Sequence, residues 1–238
     1  MRVLAITHNF PNEGNQNHGI FAARQLAEMI RQGADVTVLV PVVWCPALLR
    51  HAKRWRIYNH RWKCRYKGIE AINVPYLRLP GKWFRPLAAR EIYLAARQKV
   101  LNLHQTKPFD VIYARFLHPE GYAAVKLAKL LRIPAVGVGA GDEVNVYPND
   151  SRIYRIDIVR IINGFHGLLS SGCEVAANIK RLTGREVSVV HGVVDSDEFR
   201  SPEDKSAVRK SLGLPLDKFI VLYLGTFKVA KGVYELLD

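Results

Sequence analysis

The chain has 238 residues, and its 35 Lys and Arg against 21 Asp and Glu give a formal net charge of +14 at pH 7. Its hydrophobic fraction of 49% and charged fraction of 24% are ordinary for a globular protein. The sequence has no apolar run of transmembrane length and no signal-peptide pattern. Its three cysteines are too far apart for a zinc or disulfide framework, and this cysteine pattern suits a reducing cytosol.

Short apolar segments alternate with helical patterns from the first residues onward. Continuous apolar runs of four to six residues are typical of parallel strands that are covered on both faces. Strands are predicted at residues 2–7, 35–40, 69–74, 110–114, 134–139, 166–170 and 187–190. Helices are predicted at residues 19–32, 87–103, 120–131, 153–162 and 174–182. This order predicts an α/β fold with a doubly wound parallel sheet, in which ligands bind beyond the carboxyl ends of the strands.

Residues 218–238 have the pattern of a second α/β unit that has only begun. A buried strand is predicted at 218–224, a tight loop at 225–232 and the first turns of a helix at 233–238. The acidic stretch before them, 195–217, contains a short helical segment and fits either a crossover between domains or a long surface connection. We expect a first domain at 1–195, a crossover at 196–217 and the truncated start of a second domain at 218–238.

The loop after the first strand, residues 7–19, is long and polar and leads into a helix N-terminus. Backbone N–H groups at such a terminus favour an anion, so His18 and Gly19 are candidate ligand contacts. The loop lacks the GxGxxG pattern, so a dinucleotide site is not supported. The alternative is a solvated loop in which Asn17 caps the helix.

Three polar residues follow the fourth strand: Arg115, His118 and Glu120. They converge on the end of a strand, which is a good position for a polar binding group. A histidine in such a place is more often structural than catalytic, and that alternative stays open.

The loop after the fifth strand carries two adjacent carboxylates and an amide, Asp142, Glu143 and Asn145. These groups could hydrogen-bond sugar hydroxyls or position a cation, although their spacing does not closely match a magnesium or calcium loop. Alternatively, Asp142 caps the turn that follows.

Two later loops are weaker candidates. His191 and Gly192 follow the seventh strand and could contact a hinge-side cleft, although a turn alone would explain them. Gly225 and Lys231 flank the last loop, where a lysine at a helix N-terminus suits phosphate oxygens without forming a P-loop.

Almost all of the excess positive charge lies in one third of the chain. Residues 36–109 contain 15 Lys and Arg against two acids, so they carry +13 of the +14, together with all four tryptophans. Three readings fit: a segment on an anionic membrane surface, a solvated basic face with inward aromatics, or a nucleic-acid interface. The membrane-facing candidates are Arg50, Lys53, Arg54, Trp55, Arg61, Trp62, Lys63, Trp83 and Arg85.

Several stretches together resemble the family 4 glycosyltransferases, which are retaining enzymes with the GT-B fold. Phe10-Pro11 followed by the stretch 18–25 resembles the family's first loop and helix, and 33–39 resembles its second strand. Residues 109–114 with 119–122 resemble the fourth strand and its loop. Phe199, Pro202 and the stretch 225–233 resemble the crossover and the start of the nucleotide-binding domain. The resemblance covers essentially the whole chain, in the order and spacing of the family.

The resemblance implies an acceptor-binding N-terminal domain and a C-terminal domain that binds a nucleotide-sugar as co-substrate, with no other cofactor and no metal. The family's E-x7-E motif is absent from these 238 residues. Its arginine after the loop glycine is replaced by Thr226, which leaves Gly225, Thr226 and Lys231 as the donor diphosphate contacts. The loop at 140–143 and the stretch 191–195 also depart from the family pattern.

We therefore expect a cytoplasmic glycosyltransferase, peripheral at the inner face of the membrane, whose acceptor is a polyprenyl-linked or cell-envelope glycan. We expect the 238-residue chain to be inactive alone, and no catalytic residue can be assigned. The alternatives are a non-catalytic glycan-, lipid- or partner-binding module, such as half of a split enzyme with a separate donor-domain chain, and, less favoured, a nucleic-acid-binding protein.

Overall fold

The computed structural model describes residues 1–44, 62–78, 84–194, 199–202, 204–225, 227 and 232–236. The chain divides into two compact units, Met1–Val194 and Asp195–Asp238. The first unit contains the seven-stranded sheet and the predicted site residues that precede 195.

A seven-stranded sheet forms the centre of the first unit. Its strands lie in the order β5-β2-β1-β6-β7-β8-β9, and every neighbouring pair is parallel. The order reverses between β1 and β6, which is the switch point at which open α/β sheets bind ligands. The predicted doubly wound parallel sheet is confirmed. The strands of the sheet are β1 (Arg2–Ile6), β2 (Asp35–Val43), β5 (Ile72–Tyr76), β6 (Val111–Ala114), β7 (Ala135–Gly139), β8 (Gly167–Ser170) and β9 (Ser188–Val189).

One predicted strand, 69–74, is wrong as a single element. The chain instead makes a small antiparallel ribbon of β3 (Arg65–Tyr66) and β4 (Ile69–Glu70), and β5 begins only at Ile72. The ribbon turns at Lys67 and Gly68, which both have positive φ. A hydrogen bond from the Ala71 N–H to the Cys64 carbonyl closes it, so the apolar run is divided between two sheets.

Helices connect the parallel strands. The five predicted helices are present, and two short helices, α4 and α5, occupy the loop after β7 where at most a capped turn was expected. Their ranges in the first unit are α1 (Ile20–Arg31), α2 (Arg85–Thr106), α3 (Glu120–Leu131), α4 (Asp142–Asn145), α5 (Tyr147–Asp150), α6 (Arg152–Asn163) and α7 (Cys173–Thr183).

The two faces of the sheet carry separate cores. On one face Ala23 and Leu26 of α1 pack against Val3 and Val38 of β1 and β2. On the other face α3 and α6 pack against residues such as Leu4 and Ile112, which are fully buried. Alternate residues of β1 thus enter opposite cores, which explains its continuous apolar sequence.

The second unit contains α8 (Lys205–Ser211), where Asp204 accepts hydrogen bonds from Ser206 N and Ala207 N at the helix start. The predicted strand 218–224 is wrong, because no strand forms there and Phe219 and Leu224 are 93% and 92% exposed. A strand requires hydrogen bonds to a neighbouring strand, and the described residues of this unit supply none. The described residues 232–236 form turns instead of the predicted helix.

Candidate active site at the carboxyl edge of the sheet

The loops after β1 and β6 meet at the switch point. The β1 loop continues into α1 on one face of the sheet, and the β6 loop continues into α3 on the other. The first residues beyond these two strands are therefore neighbours in space, although they are far apart in the chain.

His8 and Glu120 form the centre of this site. The backbone N–H of His8 donates a hydrogen bond of 2.6 Å to Glu120 Oε1, and the ring nitrogen Nδ1 of His8 contacts the same oxygen. Glu120 is completely buried in the first turn of α3, whereas the His8 side chain is 38% exposed. The imidazole is therefore held through Nδ1 and leaves Nε2 for other partners.

The charge of Glu120 favours the protonated form of His8. Burial lowers the pKa of His8, but the carboxylate of Glu120, through its charge and its hydrogen bond, outweighs burial and raises the pKa above its ordinary value. Arg78 opposes this effect and Glu143 adds to it. The site therefore favours an imidazolium beside a buried carboxylate.

Arg115 is the first residue after β6, five positions before Glu120 in the chain. Its side chain is buried, and its Nε and Nη1 atoms have no hydrogen-bond partner in the described part of the chain. The guanidinium lies 5.1 Å from the ring centre of Phe21 and 5.5 Å from that of Phe116, and the Phe116 ring also contacts His8. Two aromatic rings thus support a cation that has unused donors.

A cleft of about 450 Å³ opens beside His8. It lies at the carboxyl ends of β1, β2 and β5, and its volume suits a small-molecule ligand. Its wall combines polar loop side chains with aromatic surface: His8, Asn9, Asn12, His18, Trp62, Tyr76 and Arg78 are among the lining residues.

Trp62 owes its place in the wall to a glycine. A Cβ atom on Gly14 would lie 2.2 Å from the indole ring, so only glycine permits this contact. The Arg65 N–H bonds to the Pro11 carbonyl, and Asn73 donates to the Trp62 carbonyl at 2.6 Å, which fixes the segment against the first loop. The half-buried indole of Trp62, a predicted membrane-facing residue, lines the cleft.

The first loop places His18 in the cleft wall, and the next residue, Gly19, is buried. His18 is exposed, and partial burial together with the charge of His8 lowers its pKa. Gly19 has φ +62°, and a Cβ there would lie 2.3 Å from the carbonyl carbon of Asn9. The alternative in which the Asn17 side chain caps α1 is wrong, because Gly19 is the N-cap and no side chain caps the helix.

The three candidate residues in the loop after β7 have different surroundings. Asp142 is exposed in the first turn of α4, and Gly141 precedes it as the N-cap, so Asp142 is not itself the cap. Glu143 is buried and accepts a 2.7 Å hydrogen bond from Ala140 N, and burial raises its pKa. Asn145 is engaged by Glu174 and Asn178 of α7. Asp142 alone has its carboxylate open to solvent.

The other predicted residues have varied positions. His118 is buried, with its ring 4.8 Å from that of Tyr154. His191 and Gly192 are exposed after β9, the last strand of the sheet and three strands from β6, so they do not join the His8–Glu120 pair. Lys63 is exposed and follows Trp62, and Gly225 lies in the second unit.

Several predicted contacts lie outside the described residues: Thr226, Lys231, Arg50, Lys53, Arg54, Trp55, Arg61 and Trp83, as well as the side chain of Arg85. Residues 1–44, 62–78, 84–194 and the shorter described stretches after them contain no His, Cys, Asp and Glu cluster that could hold a metal. In the same stretches no helix has the length and apolarity needed to cross a bilayer.

Sequence reasoning did not select His8, Tyr76 and Arg78. His8 comes two residues after the end of β1, next to the switch point, so its position relative to the strand was an available signal. Tyr76 and Arg78 were hidden by the misplaced third strand, because β5 ends at Tyr76 instead of at residue 74.

The chain is similar over its whole length to a protein of Bacillus subtilis (strain 168) named as a teichuronic acid biosynthesis glycosyltransferase, TuaC. The identity is 31% over 244 residues, which cover 100% of this chain and 61% of the relative. A shorter match of 35% over 81 residues, covering 33% of this chain and 19% of the relative, is to D-inositol 3-phosphate glycosyltransferase 2 of Catenulispora acidiphila. No protein-family model matches the chain.

Among solved structures, sucrose-phosphate synthase of Thermosynechococcus elongatus shares the fold, with a TM-score of 0.68 and 14% identity. The match covers 100% of this chain and 58% of that structure, so the chain spans about three fifths of the relatives that it matches over its full length. The chain is therefore similar in sequence to a protein named as a glycosyltransferase and similar in fold to sucrose-phosphate synthase.

Proposed function

We propose that the chain is part of an enzyme that transfers a sugar from a nucleotide-sugar donor to a glycan acceptor, and that the cleft beside His8 binds the acceptor. The observation that carries the proposal is this cleft at the carboxyl edge of the sheet, in a chain 31% identical to a protein named as a glycosyltransferase. We infer the nucleotide-sugar donor and the glycan acceptor from this sequence similarity.

The chemistry of the cleft suits a sugar. The face of the Trp62 indole offers an apolar surface for a pyranose ring, and Asn12, His18 and His8 Nε2 offer hydrogen bonds to hydroxyl groups at its edge. Glu120 keeps the His8 ring in one orientation, so that its hydrogen bond to an acceptor hydroxyl needs no rearrangement.

For Arg115 we propose a role in binding an anionic group of the acceptor. A buried guanidinium with unused donors is unfavourable for stability but suited to a carboxylate or phosphate. A lipid-linked or cell-envelope glycan, handled at the cytoplasmic face of the membrane, would supply such a group. The net charge of +13 between residues 36 and 109 supports the same choice.

The experiment is a transfer assay with the natural protein that contains this chain. Radiolabelled nucleotide-sugars are offered with lipid-linked and soluble cell-envelope glycans, and the labelled product is measured. Arg115→Met should raise KM for an anionic acceptor at least tenfold while the free energy of unfolding stays equal or rises, because two unpaired buried donors are removed. The proposal would be contradicted if no pair of donor and acceptor gave labelled product, or if Arg115→Met left KM unchanged.

A further inference from the structure

A groove of about 840 Å³ lies between α2, α3 and α6. Two residues of its lining, Pro134 and His166, directly precede β7 and β8. The groove therefore opens at the amino ends of these strands, whereas His8 and Glu120 follow the carboxyl ends of theirs. The proposed acceptor site makes no use of it.

The groove has a strongly one-sided charge. Asp157 is the one acid among its lining residues, whereas five exposed basic side chains line the groove. Within the part of the chain that the structure describes, none of the five forms an ion pair with a carboxylate: Arg90, Lys126, Lys129, Arg132 and Arg160. A concave surface lined by one sign of charge concentrates counter-ions of the other sign.

His166 adds a neutral donor at the edge of the groove. The backbone N–H of Ala135 donates a hydrogen bond of 3.1 Å to His166 Nδ1. The Nδ1 atom is therefore an acceptor, which places the ring proton on Nε2. The exposed Nε2–H can donate to a ligand oxygen in the groove.

Arg132 occupies a position that favours glycine. It ends α3 in the left-handed conformation, with φ +56° and ψ +40°. Helices usually end in this conformation at glycine, because a Cβ atom is unfavourable there. The chain therefore keeps a guanidinium beside the groove at a local cost in backbone energy, which is an observation independent of the charge count.

We propose that this groove binds a small ligand that carries clustered phosphate groups. Three guanidinium groups can each contact two phosphate oxygens, and the two lysines add point charges. The apolar floor, which includes Val125, Ile133 and Ile161, gives the remainder of the ligand a surface to cover. A free phosphorylated metabolite and the headgroup of an anionic lipid share this chemistry.

The test is isothermal titration calorimetry with tripolyphosphate at constant ionic strength. We expect saturable binding, and we expect the double variant Lys126→Gln with Arg160→Gln to raise Kd at least tenfold. The matched control is Arg97→Gln with Lys99→Gln, which removes the same charge from exposed positions of α2 outside the groove. The control should change Kd less than twofold.

Arg132→Gly separates binding from folding. It relieves the left-handed strain, so we expect a higher Tm together with a Kd at least threefold weaker. Equal weakening of tripolyphosphate binding in the groove variant and the control would overturn the proposal, because the attraction to positive charge would then be non-specific. No saturable binding by the wild-type protein would also overturn it.

Vesicles distinguish the two sources of phosphate. Vesicles of zwitterionic lipid are compared with vesicles that contain about one third anionic phospholipid. Binding that tripolyphosphate displaces and that the groove variant loses identifies a lipid headgroup. When tripolyphosphate binding depends on the groove, either of two vesicle results identifies a soluble phosphorylated ligand. In the first, no vesicle binding is observed; in the second, the groove variant retains vesicle binding. None of these measurements requires sugar transfer, so failure here leaves the proposed function untouched.

Discussion

His8 and Glu120 are 112 positions apart in the chain, yet the carboxylate of Glu120 accepts the backbone N–H of His8 at 2.6 Å and also contacts its ring. This pair joins the loops of β1 and β6 across the switch point of the sheet. It is at once a structural contact and the element that orients the imidazole toward the cleft.

The first prediction concerns the coupling between these two residues. His8→Gln leaves the buried carboxylate without its cationic partner, and we expect it to lower the free energy of unfolding by about 1–3 kcal/mol. The double variant with Glu120→Gln should lose less than the sum of the two single variants, because the unpaired charge is gone. Urea denaturation measures all four proteins. His18→Gln, at an exposed histidine of the same cleft, is the control and should stay within about 0.5 kcal/mol. Strict additivity would contradict the coupling.

The second prediction is a pH dependence. The pKa of His8 is raised in the folded protein above its ordinary value of 6.5. The interaction with Glu120 therefore contributes its full stability below that ordinary value and loses it as the pH rises through the raised pKa. As the pH rises above 6.5, the wild-type protein should therefore lose stability relative to His8→Gln. NMR titration of the His8 ring should also give a lower pKa after Glu120→Gln, and an unchanged pKa would refute the assignment.

The third prediction concerns the Gly14–Trp62 contact. Gly14→Ala places a methyl group where the indole lies, so we expect a displaced tryptophan and a loss of about 1–3 kcal/mol in stability. The difference in fluorescence between each protein and its Trp62→Phe derivative reports the displacement. Gly172→Ala is the control, because its added methyl group meets nothing within 4 Å. Identical spectra and stability for Gly14→Ala and the control would show that the contact is unimportant.

The fourth prediction compares two glycines with similar backbones. Gly19 has φ +62° and Gly184 has φ +73°, so alanine at either position costs about 1–2 kcal/mol of backbone energy. At Gly19 the new Cβ also meets the backbone of Asn9 at 2.3 Å, whereas at Gly184 it meets nothing within 4 Å. We expect Gly19→Ala to cost at least about 1 kcal/mol more than Gly184→Ala in urea denaturation. Only Gly19→Ala should also weaken acceptor binding, because it shifts the loop that carries His8 and His18.

Much of the fold follows from local patterns. The alternation of apolar runs with helical segments predicted six of the seven strands of the main sheet and the five main helices, because burial on both faces imposes a recognisable composition on parallel strands. The failures at 69–74 and 218–224 share one cause. Both segments are apolar enough for a strand, but a turn at Lys67–Gly68 divides the first and no neighbouring strand pairs with the second in the described residues.

The candidate site shows the same division. The sequence by itself determined which polar residues follow the strands, and so placed Arg115 and Glu120 at the edge where ligands bind. Only the tertiary structure decided that Glu120 hydrogen-bonds to His8 and that Asn145 hydrogen-bonds to α7. It also decided that Trp62 lines the cleft beside Gly14. These contacts join residues between 29 and 112 positions apart, or depend on the room left by one missing Cβ atom. No local pattern encodes them, because their energy depends on groups that only the folded chain brings together.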